Sequence, residues 1–436
     1  MRSLTKDPGI LEITDEISKK AAAGHYLVSD IILREEGREY QFADLVMEGG
    51  GTLGIALVGY IHALEQAGVR FLGMGGSSVG AIVSLLAYSC GGRTEAKGEK
   101  LAGIIGNMNL GSMVDGKYMA RKLSQLLGKK DARLRTPRII LSALMSLGQI
   151  LKNLGLNPGD KLYEWISDRL NESGISTLSD LNRLTGALPE GLIHRETRKP
   201  IVDYDTDLKI VVADITTSTK VVFPSMASMY WSEPGKVNPA CFARASASIP
   251  VFFHPFTVSG ISDIIASGDK WERLGCFTGK LPDRVSFADG GLLSNFPIDL
   301  FKRPGIPRAP TLGARLGSKE RTVKDAEKIG QYAGNLFGAL RHYADHDFIF
   351  KNPLYKYLIT HIPTEKYHWL DFNMSEDDKL GLFREGVIAG YQFLENFNWA
   401  QHKALREAEL ELYRAQNRLT TRSADTVVQR PSAYSD

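Results

Sequence analysis

Gly76-Ser77-Ser78-Val79-Gly80 sets a serine among small residues, after the short apolar run Val69 to Met74 and before a second apolar run, Ala81 to Ser89. This is G-x-S-x-G between a predicted strand and a predicted helix. A nucleophile elbow requires that context, because small flanking residues permit the strained turn that lifts a serine Oγ to the end of a sheet. Ser78 is therefore the candidate nucleophile, and the helix starting just beyond it would aim its N-terminal dipole at any oxyanion formed there. A serine also needs a base. Phe287-Ala288-Asp289-Gly290-Gly291 offers one, a short apolar strand that delivers a carboxylate beside flexible backbone. Asp289 can take the Ser78 proton directly if partial burial raises its pKa. Taken singly, each motif also has a plain reading: G-x-S-x-G arises readily in a Gly- and Ser-rich stretch, and Asp-Gly-Gly is ordinary turn chemistry.

A further glycine turn, Gly49-Gly50-Gly51-Thr52-Leu53-Gly54, matches the G-x-G-x-x-G of dinucleotide sites. Such a site wants an acidic residue ~20 positions on, at the end of the next strand, to hold the ribose hydroxyls. None is there: after Glu65 the next acid is Glu95, and the second predicted strand ends in the serine turn. A glycine turn between strand and helix can instead present bare backbone N–H groups, which in acyl transfer form an oxyanion hole. The amides around Gly50 and Gly51 would serve, since glycine main chain lets a bulky tetrahedral intermediate approach. The plain alternative is a tight turn with no ligand.

The elements that must position these residues follow in order along the chain. Residues 41–47 (QFADLVM) read as a strand that stops at Glu48, and Ile55, Val58, Ile61 and Leu64 as a helix ending at Ala67-Gly68. The serine turn repeats the scheme, and two successive βα units with short turns imply parallel strands with crossover helices. Residues 93–200 read as an inserted helical segment with a loop, LPEGLIHRETRKP, near its end. Strand signals return at Leu208 to Ala213, Lys220 to Phe223 and Val285 to Ala288; a last helix follows Ser375, a plausible N-cap ahead of three acids. After Asn398 a charged helix leads into a polar tail, TTRSADTVVQRPSAYSD, expected to be disordered.

Composition bounds what these elements can be. Of 436 residues, 43% are hydrophobic and 24% charged, which fits a globular chain and neither a disordered nor a multi-span membrane protein. At ~100–200 residues per domain the length predicts two or three domains, or one large α/β unit with insertions. A net charge of +3 gives no field that would argue for nucleic acid as partner. Three cysteines without CxxC spacing suggest neither a disulfide framework nor a zinc site. The uncharged run Phe71 to Gly92 is broken by glycines and serines, so it does not read as a membrane span. The N-terminus lacks a secretory pattern, so a cytoplasmic location is expected, with peripheral contact at a membrane and export without a signal peptide left open.

The ordered set Gly49-Gly50-Gly51-x-x-Gly54, Gly76-x-Ser78-x-Gly80 and Asp289-Gly290-Gly291 resembles the patatin-like phospholipases, serine lipid acyl hydrolases with a Ser–Asp dyad. The resemblance extends over about residues 42 to 395 and includes the segment ARASASIPVFFHPF. It implies a three-layer α/β/α fold around a central mixed, mostly parallel sheet with helical insertions. It also implies Ser78 as nucleophile, Asp289 as general base, an oxyanion hole from Gly49 to Gly54, and neither catalytic histidine nor calcium nor other cofactor. The substrate would be a phospholipid or another lipid ester. The domain expectation is then an extension over 1–41, a catalytic domain over 42–397 with the insertion at about 93–200, and a charged helix and tail over 398–436. One position departs from the family pattern: Leu53 stands where a basic residue is usual just before the last glycine of the first turn.

Other readings compete locally. A Ser-Asp-His order would draw on His342, His346, His361, His368 or His402, none in a short strand-end loop, while His254 lies on the wrong side of Asp289 for that order. His342 and His346 share a helix face, yet Tyr343 takes the place of the glutamate of an H-E-x-x-H metal site, so they read as ordinary helix residues. Lys117 to Arg138 holds eight basic residues and one acid, followed by an apolar stripe from Ile140 to Leu154. That pairing could hold the protein on an anionic bilayer, or be a solvated loop leading into a core helix. The Trp271 loop, residues 258–283, is a candidate lid. An inactive lipid-binding or interaction module on the same fold is the alternative from a different class.

Overall fold

The computed structural model describes every residue except 1–2, 119–120, 123–150, 206, 263–267, 320–326, 328 and 429–436. Among the described residues the strands are β1 (Ile31–Glu35), β2 (Arg38–Met47), β3 (Val69–Ser77), β4 (Gly155–Asn157), β5 (Ile193–His194), β6 (Leu208–Asp214), β7 (Thr219–Phe223), β8 (Val251–Phe253), β9 (Phe256–Ser259), β10 (Arg284–Asp289), β11 (Thr311–Leu316) and β12 (Ile359–Ile362). The helices are α1 (Pro8–Ala22), α2 (Gly54–Gln66), α3 (Val79–Ser89), α4 (Gly98–Gly106), α5 (Asp160–Glu172), α6 (Leu178–Thr185), α7 (Ala240–Ser246), α8 (Gly268–Gly275), α9 (Ile329–Lys351), α10 (Glu376–Asn396) and α11 (Trp399–Val428).

The main sheet runs β12-β11-β2-β3-β6-β10-β9, with β1 added to β2, β5 to β1 and β7 to β6. From β12 to β6 each neighbour pair is parallel, whereas β10 runs antiparallel to both β6 and β9. The sheet is therefore mixed and mostly parallel, as the βα pattern predicts. Helices cover both faces because β2 is apolar on both. Leu45 and Met47 join the large core with residues of α2, α3 and α10, while Val46, facing the other way, packs with Phe296, Ile298 and Phe301 against Phe348 and Ile349 of α9.

The topology brings the two motif strands together. β3 lies along the first part of β6, with Ser77 opposite Val211, and β10 along the last part, with Asp289 opposite Val212. β7 fills the other edge of β6 over the same residues, so β3 and β10 share one edge, enter it from opposite directions and meet end to end. The C-terminal ends of both strands thus abut, far apart as they are in sequence.

Several boundaries differ from the sequence expectation. The N-terminal extension packs on the sheet: Ile10 and Ile17 of α1 are fully buried, and β1 pairs with the start of β2, which begins at Arg38 rather than at residue 41. The loop near residue 190 contains β5, which joins the main sheet at β1, and β4 pairs with β8 in a separate small sheet. α11 continues to Val428, into the stretch expected as a disordered tail. α10 starts as expected, with the Ser375 hydroxyl accepting from the Asp378 amide at 3.1 Å. Trp271 is no lid residue: its ring is fully buried against Tyr230 and Phe277, so an aromatic in a polar stretch turns out to be the core anchor of that stretch. Among the described residues no helix is long and apolar enough to cross a membrane.

Candidate active site

Ser78 sits between β3 and α3 with φ 53° and ψ −123°, a conformation a side chain adopts only when its surroundings enforce it. The enforcing contacts are visible. A Cβ on Gly76 or on Gly80 would collide with the Met47 carbonyl of β2, so the turn closes only with glycine at both positions. The Ser78 amide donates to the Ser246 hydroxyl at 2.9 Å, and that hydroxyl donates to the Val211 carbonyl at 2.7 Å. Ser77 turns the other way and donates to the Ser294 carbonyl at 2.6 Å. α3 begins at Val79, leaving its first amides without intrahelical partners beside the serine.

Asp289 ends β10 and is buried, as Ser78 is. Its amide donates to the Ser248 carbonyl at 2.9 Å, and its Oδ1 accepts from the Gly291 amide at 2.8 Å. Among the described residues its buried Oδ2 has no hydrogen-bond partner. Burial pushes the carboxyl above the usual range, against the opposing pull of the Arg341 guanidinium, the Ser78 hydroxyl and the Gly291 amide. Gly290 passes so close to the Val211 carbonyl that no side chain fits there.

In the first glycine turn the amides divide. Gly49 donates to the Asn295 carbonyl at 3.0 Å and Thr52 to the Trp369 carbonyl at 2.8 Å, while no hydrogen bond is found for the Gly50 and Gly51 amides among the described residues. Of the expected set Gly49, Gly50, Gly51, Thr52 and Gly54, Gly49 and Thr52 thus have their amides occupied. Gly51 has φ 58° and lies against the Trp369 carbonyl. Leu53 is a buried core side chain at the start of α2.

Sequence reasoning missed the residues that hold these turns to one another. Asn295 is the chief one: its Nδ2 donates to the Gly49 carbonyl and to Glu48 Oε1, each at 3.1 Å, and its Oδ1 accepts from Arg341. Burial raises Glu48 to about 7 despite Arg315, whose Nε lies 3.4 Å away. Arg244 anchors the segment carrying Ser246 and Ser248 through the Gly159 carbonyl at 3.0 Å and the Ser248 hydroxyl at 2.7 Å. The ARASASIP segment signalled the last of these; nothing near Asn295 or Arg341 in the sequence did.

Above Ser78 opens an apolar cleft lined by Ile55, Ile82, Ile105, Met108, Met113, Leu162, Phe253 and Phe372, with Gly51, Thr52 and Gly54 along one side. Its volume is about 60 Å3. Much of its wall comes from α4 and the residues after it, so the inserted helical segment builds the cleft. Among the described residues neither Ser78 nor Asp289 hydrogen-bonds a histidine, and no three metal-ligating side chains cluster. His402 stacks on Trp399 and His342 on His346. Most of the basic run from Lys117 and of the stripe after it lies outside the described residues; Leu151 and Leu154, within them, are exposed.

A serine at positive φ, a buried carboxylate whose strand ends on the same edge of β6 and a glycine turn with two amides for which no partner is found among the described residues thus stand at one end of the sheet. The sequence model of the patatin-like phospholipases matches residues 45–302, over half of the chain, and this chain belongs to that family. By class it is a lipid hydrolase. It is 27% identical over 360 residues to the uncharacterized protein YqhO of Bacillus subtilis (strain 168), covering 82% of this chain and 100% of that one. Among solved structures it is similar to VipD from Legionella pneumophila, with TM-score 0.39 and 17% identity over 85% of this chain and 70% of that one. It is also similar to the type III effector protein ExoU of Pseudomonas aeruginosa, with TM-score 0.36 and 16% identity over 83% of this chain and 53% of that one.

Proposed function

We propose that the protein cleaves carboxylic ester bonds of membrane lipids through an acyl-enzyme on Ser78, with Asp289 as general base. The observation that carries this reading is the pairing of a strained, buried Ser78 with a buried Asp289 whose Oδ2 lacks a hydrogen-bond partner, at the foot of an apolar cleft. The Asp289 carboxylate accepts the Ser78 proton as Oγ attacks the ester carbonyl. The amides of Gly50 and Gly51, with the first turn of α3 behind them, stabilise the oxyanion of the tetrahedral intermediate. Collapse expels the alcohol, which takes the proton back from Asp289. A water deprotonated by the same carboxylate then attacks the acyl-enzyme, and Asp289 returns the proton to Ser78 Oγ as the C–Oγ bond breaks and the fatty acid leaves.

The free Gly50 and Gly51 amides support the oxyanion role, and the carbon-lined cleft supports an acyl chain as the group bound beside it. The wall from α4 to Met113 borders the space beside Ser78 and is the part that would yield to an acyl chain. Peripheral contact with an anionic membrane, through the basic segment that begins at Lys117, belongs to the same proposal. A lipid-binding module without turnover is the second reading, favoured by Leu53 in place of the usual cation.

A fluorophosphonate probe and phosphatidylcholine vesicles separate the two. Hydrolysis by this route gives covalent labelling and fatty-acid release by the wild type and neither by Ser78→Ala. A folded wild type that stays unlabelled and releases no fatty acid would leave the binding module standing.

A further inference from the structure

We propose that Arg341, reaching in from α9, is the positioning residue of this site: its guanidinium clamps the Asn295 side chain and the Gly49 carbonyl and stands as the counter-charge to Asp289. The inference rests on the reading of Ser78 and Asp289 as a catalytic pair. Arg341 Nη2 donates to Asn295 Oδ1 and lies 3.4 Å from the Gly49 carbonyl. Asn295 already grips Gly49 at both ends, its carbonyl accepting from the Gly49 amide at 3.0 Å and its Nδ2 donating to the Gly49 carbonyl at 3.1 Å. Arg341 therefore braces the residue that sets where Gly50 and Gly51 present their amides.

The three motif turns converge under this guanidinium. A Cβ placed on Gly291 would lie 2.6 Å from Asn295 Oδ1, 2.8 Å from Asp289 Oδ1 and 3.1 Å from Arg341 Nε. Among the described residues Arg341 Nε and Asp289 Oδ2 are both buried without hydrogen-bond partners, a donor and an acceptor on the two side chains that flank Gly291. Groups left so are costly unless the charges compensate one another through the low-dielectric gap. One turn further along α9, Asp345 accepts from the Ser294 hydroxyl at 2.6 Å and from the Phe296 amide at 2.8 Å, which locks the helix to the loop following Asp289. With Leu53 apolar, neither glycine turn has a cation of its own, and Arg341 supplies one from a distant element.

The charged and titratable groups facing this point are Ser78, Asp289, Glu48 at the end of β2, Arg315 of β11, and Arg341 and Asp345 of α9. Asp289 must be ionised to act as base. Removing the cation raises its pKa further, so the acid limb of the rate profile moves to higher pH.

The test follows Ser78 labelling and lipid hydrolysis against pH in Arg341→Ala and Arg341→Lys, with thermal unfolding as the check on folding. In Arg341→Ala, kcat falls about 100-fold with KM little changed, the acid limb rises by about one unit, and added guanidinium ion restores part of the rate. Arg341→Lys keeps the limb in place and still loses rate, because an ammonium supplies the charge without the fork. Wild-type labelling in Arg341→Ala, or an acid limb that does not move, overturns the proposal. Should Arg341→Ala fail to fold, wild-type kcat in Arg341→Lys overturns it and a lowered kcat with an unmoved limb supports it. Failure of the underlying reading looks different, since the wild type itself would then neither label nor hydrolyse.

Discussion

The two sides of the junction between the Ser78 and Asp289 turns are built from opposite materials. On the α2 and α3 side Ser78 faces carbon: Ile82, Ile105, Met108, Met113 and Phe372 line the cleft. On the α9 side the same turns rest on a network of Glu48, Asn295, Arg315, Arg341 and Asp345. Dispersion contacts are weak singly and have no preferred direction, so a carbon wall can shift and re-form. A buried polar network cannot, since each displaced partner leaves a desolvated group unpaired. The contrast assigns admission of substrate to the first side and constancy of geometry to the second. Changes on the polar side should therefore cost turnover for every substrate, and changes on the apolar side should cost it selectively.

The largest effect is expected where the network meets the chemistry. Asp289→Asn removes the proposed base and should lower kcat by about 1,000-fold, read as fatty-acid release from vesicles. Its stability should move the other way. Because burial raises the folded-state pKa of Asp289, its ionised form burdens the fold above that pKa, and the burden vanishes below the unfolded value of about 3.9. Thermal unfolding should accordingly place Asp289→Asn above the wild type at pH 7, with the gap closing on acidification. For the same reason wild-type activity should fall, as pH drops, before an ordinary carboxylate would protonate. A variant less stable than wild type at pH 7 would mean that the charge is compensated better than its open Oδ2 suggests.

Asn295→Ala comes next. It removes the side-chain grip on the Gly49 carbonyl, while the backbone bond from the Gly49 amide stays, and leaves Glu48 Oε1 and Arg341 each short of a partner, so denaturant unfolding should show a loss of about 1–3 kcal/mol. Displacing the oxyanion turn by a fraction of an ångström should also cost about 100-fold in labelling rate. A stability loss without a rate loss would confine Asn295 to the fold and weaken the comparison on its polar side.

How much of this was legible in the sequence follows the same divide. Ser78, Asp289 and the glycines were readable because each belongs to a turn whose steric demands are local: Gly76 and Gly80 must clear Met47, and Gly290 must clear Val211. The βα pattern likewise gave the parallel centre of the sheet, since alternation and turn residues are local signals. Asn295 and Arg341 carry no such mark. They act through contacts with residues distant in sequence, and a lone Asn or Arg has many ordinary uses. Trp271 misled for a related reason, because an aromatic amid polar residues looks the same whether it caps a site or anchors a surface segment to the core. Leu53 marks a position without a cation, and Arg341, which reaches the Gly49 carbonyl, comes from a helix almost three hundred residues further on, which no local reading reaches.

The smallest effect is expected on the apolar side, and it should be selective. Met108→Trp adds bulk to a wall that already leaves only about 60 Å3 beside Ser78. Overpacking costs about 1–3 kcal/mol where the surroundings cannot give, but a carbon wall that moves to admit substrate can absorb part of it. Esters of short acyl chains should keep near wild-type kcat/KM, while long-chain esters lose about tenfold, the value of roughly one or two methylenes of contact. The measurement is a chain-length series of p-nitrophenyl esters on both proteins. A uniform loss across the series would mean that the cleft wall, like the network opposite, holds the geometry of the reacting groups, and the division of labour between the two sides would fail. A loss that grows with chain length would place the acyl group against Met108 and make the inserted helical segment the part of the chain that selects among lipids.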